Sequence, residues 1–188
     1  MSSPAARRGL EVRRRLLAAA VELVPERGWA GVSTRVLAER AGVTPSVVHY
    51  HYPTLRALLT EAVVGHVRQA LGEVEAFLAT ASTPEDAVDA LIASVERYTG
   101  SDPTSLLLTE SYLAATRDEE LRERLGGAVV EFRLRFGAWL GERGVPDPER
   151  TAAVLIAAVD GLLLHRGLGA APDSAAVLRR LVDRGGRA

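Results

Sequence analysis

The chain has 188 residues, 47% of them hydrophobic, with 23 basic and 24 acidic side chains, a net charge of −1 and no cysteine. That length and apolar share suit one ordinary domain or a small head on a larger helical body, and the missing thiols exclude a disulfide framework and any thiolate metal centre. Charge is uneven along the chain: residues 1–60 hold nine Arg against four Glu, leaving +5 there and −6 on the remainder, the asymmetry expected when only one end meets phosphate.

Alternating β-branched runs bounded by tight turns are missing and helical periodicity is nearly continuous, so the expectation is an all-α fold of about nine helices. The first helix is expected from Leu10 to Arg27, with Leu16, Ala20, Leu23 and Val24 on one face and Gly28 as its stop. Ser33 caps a short second helix, Thr34 to Arg40, in which Val36 and Leu37 point inward. Ala41-Gly42-Val43 is a tight connection, with Gly42 free to take a positive φ. Thr44 caps the third helix, Pro45 takes its first position, and the helix ends before Pro53. A long fourth helix follows from Thr54 to Leu78, a fifth from Pro84 to Tyr98 and a sixth from Asp102-Pro103 to Ala115. The seventh runs from Asp118 to Arg143, the eighth from Asp147-Pro148 to Arg166, and the ninth from its cap at Asp173 to Asp183. Residues 1–53 are read as a head domain of three helices and 54–188 as a helical body.

Residues 33–52, STRVLAERAGVTPSVVHYHY, have the pattern of two short helices crossing steeply. A small residue, Ala38, stands where the helices must touch, and Gly42 stands in the turn. Val48 and Tyr52, four apart, anchor the second helix of the pair inward. Thr44, Ser46, Val47, His49, Tyr50 and His51 are then left at its tip or outer face.

From about Arg13 to Leu59 the chain resembles the N-terminal domain of TetR-family repressors. The resemblance rests on Glu26-Arg27-Gly28-Trp29, on Val36-Leu37-Ala38-Glu39-Arg40-Ala41-Gly42-Val43, on the aromatic-rich third helix and on Leu58-Leu59. It implies a head that binds double-stranded operator DNA, with Thr44, Pro45, Ser46 and Val47 at base edges in the major groove. It places His49, Tyr50 and His51 at phosphates, and Ser33, Thr34 and Arg35 at the second helix's N-terminus, where the dipole attracts a phosphate. Arg7, Arg8 and Arg13 to Arg15 are expected as an arm along the backbone or a minor groove. Three positions depart from the family's usual residues: Leu55 stands where Lys commonly contacts phosphate, Ser46 where Gly is common, and His49 where Tyr is usual.

Further along, the resemblance is limited to helix count, length and the Asp160-Gly161 pair in an apolar eighth helix. It implies a ligand-responsive repressor, homodimeric through its last two helices, with heads on half-sites ~34–36 Å apart. Ala153, Ala157 and Gly161, four apart, allow close helix approach. A small-molecule effector pocket is expected within the fourth to eighth helices, with Phe77, Tyr98, Leu107, Tyr112, Phe132, Phe136 and Trp139 as apolar lining. His66, Glu110 and His165 are the expected polar anchors, Glu110 pairing with Arg117 or His165 if buried.

No cofactor and no metal is called for. His49 and His51, two apart on a helix, do not share a face. An enzyme is disfavoured because no Gly-rich phosphate loop, metal-spaced His/Glu set or Ser-His-Asp spacing is found. A helical ligand-binding protein that has lost DNA binding is the other rival, motivated by Leu55 and the altered aromatic triplet. The N-terminus lacks an apolar signal region, and the longest apolar run, Ala152 to Leu164, is interrupted by Asp160. A cytoplasmic location with no membrane partner is expected.

Overall fold

The computed structural model describes residues 4–170 and 172–183. Among them are nine α-helices, one 3-10 turn and no strand. The helices are α1 (Pro4–Arg27), α2 (Thr34–Ala41), α3 (Pro45–His51), α4 (Leu55–Leu78), α5 (Pro84–Glu96), α6 (Pro103–Ala115), α7 (Glu119–Glu142), α8 (Pro148–Gly167) and α9 (Ala175–Arg180). The 3-10 turn, η1 (Trp29–Gly31), joins α1 to α2.

Local chemistry explains most of the boundaries. Ser33 Oγ accepts from the Val36 amide at 3.3 Å and opens α2. Gly42 closes it at φ 64°, while the Val43 amide reaches back to the Ala38 carbonyl at 2.9 Å and the Gly42 amide to Glu39 at 3.1 Å. This left-handed stop satisfies carbonyls that a helix end leaves orphaned. Thr83 and Asp86 form a reciprocal capping box on α5, with Oγ1 accepting from the Asp86 amide at 3.1 Å and the carboxylate from the Thr83 amide at 2.9 Å. Asp102 opens α6 by accepting from the Ser105 amide at 3.1 Å, and Asp118 opens α7 by accepting from Leu121 at 3.2 Å.

Four expectations are corrected. Helix α1 begins at Pro4, so Arg7 and Arg8 stand on a helix instead of forming an extended arm; Pro at the first helical position supplies the start. Thr44 occupies the N-cap of α3 without a side-chain capping bond, because its hydroxyl pairs with the Ser46 hydroxyl at 2.8 Å. Asp147 precedes α8 in a left-handed conformation, φ 45°, also without a capping bond. Helix α9 ends at Arg180, with 181–183 in turns.

By packing, the chain forms two compact units, one of residues 1–67 and 106–125, the other of 68–105 and 126–188. The division falls inside α4, α6 and α7 and not at residue 53. In the first unit Leu16, Leu23, Leu37, Val48, Leu58 and Val63 are fully buried, each contributing about 1.5–3 kcal/mol by removal from water. The second has a core of Val88, Leu91, Phe132, Phe136, Leu140, Leu155, Leu178 and Val182, to which α5, α7, α8 and α9 all contribute. Gly100 and Gly167 meet there backbone to backbone: a Cβ added at Gly167 would lie 2.8 Å from the Gly100 carbonyl oxygen, closer than real Cβ atoms come. The apolar surface of α8 and α9 is only partly covered, with Val154 53%, Leu164 48%, Val177 51% and Leu181 40% exposed.

Candidate nucleic-acid interface

Helices α2 and α3 separate an inner from an outer face. Leu37, Ala38, Ala41, Val48 and Tyr52 are buried, so the small residue at the crossing and both inward anchors lie where the pattern required them. Ser33, Arg35, Thr44, Pro45, Ser46, His49 and Tyr50 are exposed, and Thr34, Val47 and His51 are half-buried. Tyr50 is the most open of these at 84%, its ring edge-on to His51 with centroids 5.1 Å apart. A Cβ at Gly9 would lie 4.0 Å from His51 Cε1, so His51 stands beside α1. The hydroxyls of Thr44 and Ser46, the rings of Tyr50 and His49 and the Arg35 guanidinium form a polar surface 7–19 residues from the chain's nearest aromatic anchor, Tyr52, or closer.

Two charged networks hold this surface in place. Arg40 on α2 donates to Glu26 at 2.6 and 3.0 Å and to Glu22 at 3.1 Å on α1. These hydrogen bonds keep the Glu26 carboxyl below its ordinary value. Glu61 on α4 accepts from Arg13 at 2.5 and 3.2 Å and from the Tyr52 hydroxyl at 3.1 Å. The Arg13 guanidinium also sits 4.8 Å from the Tyr52 ring centroid. Burial, and then the Glu61 carboxylate, push the Tyr52 phenol well above its ordinary value. Sequence reasoning missed both networks, since Arg13 and Glu61 lie 48 residues apart. The basic N-terminus is therefore partly spent on internal pairs: Arg13 on Glu61 and Arg14 on Glu11.

The expected effector residues divide between the units. Phe132 and Phe136 stack at 6.2 Å and Phe136 and Trp139 at 6.3 Å, and all three line a cavity of about 220 Å³ with Leu78, Glu75 and Arg135. Arg143 covers the Trp139 ring at 3.7 Å. Phe77 is 46% exposed, with the Arg97 guanidinium 5.2 Å over its ring; Tyr98 is half-buried beside the same guanidinium. His165 is exposed in the last turn of α8. His66 and Tyr112 belong to the first unit, half-buried and exposed respectively. Glu110 is corrected from the expected pairing with Arg117 or His165: it is half-buried and accepts from the Trp29 amide at 3.0 Å, at the start of η1.

Residues 16–62 match the model of bacterial regulatory proteins of the tetR family, and residues 82–185 match the tetracyclin repressor-like C-terminal domain. The chain belongs to the TetR family. It is a transcriptional regulator and not an enzyme, its helix-turn-helix being the TetR DNA-binding element. The HTH-type transcriptional regulator BetI of Rhizobium meliloti (strain 1021) is 29% identical over 166 residues, covering 86% of this chain and 81% of that protein. A transcriptional regulator of Streptomyces coelicolor A3(2) superposes with a TM-score of 0.71 at 31% identity, over 93% of this chain and 97% of that one. The multidrug binding protein EbrR, solved with imidazole, gives a TM-score of 0.65 at 30% identity, over 92% and 93%. The departure from the TetR pattern at Leu55 is retained in space: Leu55 is half-buried, and Arg56 beside it faces Asp118 at 3.6 Å and Glu120 at 4.0 Å. Among the described residues no helix is long and apolar enough to cross a membrane.

Proposed function

We infer that this TetR-family regulator is a repressor that binds a pseudo-palindromic operator as a homodimer and is released by a small molecule. The observation that carries this reading is the sorting of α3: Val48 is 1% exposed, while Thr44, Pro45, Ser46, His49 and Tyr50 are turned to solvent. A helix anchored on one side and polar on the other fits a major groove, with Ser46 and Thr44 at base edges and Val47 and Pro45 against a thymine methyl. His49, Tyr50, His51, Ser33, Thr34 and Arg35 contact phosphate and set the register.

One head makes too few contacts for a specific site. The uncovered Val154, Leu164, Val177 and Leu181 of α8 and α9 supply the apolar face through which a second copy joins. The effector enters the aromatic cavity at Phe136 and Trp139, where apolar walls meet a few charged groups; EbrR, which takes up imidazole, supports a small-molecule ligand. The effector lowers DNA affinity by binding better to a state whose heads no longer match the two half-sites.

Selection of bound duplexes from a random pool, followed by a salt titration of the winner, tests the reading. The expected result is a two-fold sequence with half-sites ~34–36 Å apart, bound less tightly as salt rises, and lost with Leu164→Glu as the dimer dissociates. The pairing of Arg56 with Asp118 favours a second reading, a ligand-binding module without an operator. A folded, dimeric protein that enriches no sequence, even after ligand removal by refolding, would establish that one instead.

A further inference from the structure

The first unit holds a cavity of its own. It has a volume of about 420 Å³ and lies between η1, α6 and the start of α7, within the size range of small-molecule sites. Its apolar walls are Trp29, Leu113 and Ala114, and Arg27 and Arg117 stand at its rim. The two carboxylates that line it are already engaged. Glu110 accepts from the Trp29 amide at 3.0 Å, and Asp118 accepts from the Leu121 amide at 3.2 Å and faces Arg56 at 3.6 Å. Arg27 and Arg117 have no carboxylate partner among the described residues. The cavity therefore offers an indole and aliphatic surface flanked by two uncompensated guanidinium groups.

We propose that this cavity is a second small-molecule site, inside the DNA-reading unit, that takes an organic anion with a flat apolar body. The carboxylate of such a ligand pairs with Arg117 or Arg27 in the forked geometry that guanidinium and carboxylate share. Its body covers Trp29, Leu113 and Ala114. A cation is disfavoured because the acids are occupied and the free charges are positive. The site is separate from the aromatic cavity of Phe136 and Trp139, and its existence does not depend on the effector reading.

The chain has two tryptophans, Trp29 and Trp139. The variant Trp139→Phe therefore leaves Trp29 as the sole indole reporter. Titration of this variant with 2-naphthoate is expected to change Trp29 emission saturably. Adding Arg27→Ala and Arg117→Ala, both at exposed positions, should weaken the apparent affinity by roughly ten- to a hundredfold, the loss of one or two charge-assisted hydrogen bonds. The neutral 2-naphthamide should bind more weakly by a similar factor. Adding Phe136→Ala should leave the titration unchanged. The proposal is overturned by no saturable change up to millimolar 2-naphthoate, by equal binding of the acid and the amide, by indifference to the two arginines, or by loss with Phe136→Ala. Only the last of these outcomes bears on the effector cavity, so failure here is distinguishable from failure of the effector reading.

Discussion

Replacing Glu61 with Ala removes the group on which Arg13 and Tyr52 converge. The two contacts are unequal. Arg13 has 44% of its side chain exposed and Glu61 31%, so their ion pair is screened and contributes at most about 1 kcal/mol. The Tyr52 hydroxyl is attached to a side chain only 3% exposed, and its 3.1 Å bond to Glu61 is the one that cannot be replaced cheaply. Leaving that donor unsatisfied costs about 1–3 kcal/mol, which lowers the melting temperature by about 2–4 °C per kcal/mol in a chain of this size. Tyr52→Phe alone deletes donor and bond together and should cost less. The double variant should therefore lose less than the sum of the single losses, by about 0.5–1.5 kcal/mol. Urea unfolding of the four proteins at neutral pH measures this. Strict additivity, or a Glu61→Ala loss below about 0.5 kcal/mol, would refute the assignment. The same network sets an alkaline limit. The phenol is raised in the folded chain, by burial first and by Glu61 second, so above pH about 10 the unfolded chain releases a proton that the folded one retains. Stability is full below that pH, falls as pH rises beyond it, and should fall less steeply in Tyr52→Phe.

Arg35→Ala should weaken binding to all duplexes alike and reduce the salt slope by about 0.9, read by fluorescence anisotropy at several salt concentrations. Ser46→Ala should change preference at one base position by up to about 1–3 kcal/mol, since it also frees the Thr44 hydroxyl from its present partner. Gly42→Ala should destabilise by about 1–2 kcal/mol; an added Cβ would meet Arg15 at an ordinary 3.7 Å, so the cost comes from the backbone at φ 64° and not from a clash. Hydrogen bonds from Thr83, the side chain first and the amide next, hold the Asp86 carboxyl below its ordinary value. Its contribution is present above the usual carboxylate range and lost as pH falls through it, so Asp86→Ala should melt lower at neutral pH and show a shallower acid decline.

The head was readable because its instructions are local. Ser33, Gly42 and Pro45 each act within a turn of the boundary they set. The inward pair Val48 and Tyr52 follows from helical spacing alone. Where the partner is distant the sequence is silent: nothing near Glu110 announces that its carboxylate meets an amide 81 residues earlier. The expected effector set failed to gather for the same reason. Phe132, Phe136 and Trp139 share a helix face by spacing and do meet, whereas Phe77, Tyr98 and His165 depended on packing between helices that periodicity does not specify. The early start of α1 had a readable signal in Pro4, outweighed in the sequence reading by the charged residues that follow it.

The backbone joint between Gly100 and Gly167 bears on how this protein would look in a mutational survey. Neither residue lies in the recognition helix or in either of the two cavities discussed, yet a side chain at Gly167 meets a carbonyl at 2.8 Å, and Gly100 already requires φ 80°. In a library scored by reporter output, both positions would be as intolerant as a true ligand contact. Scoring the same library for protein abundance would separate them, because substitutions at this joint deplete the protein itself while changes at Ser46 leave its level intact and silence only the readout.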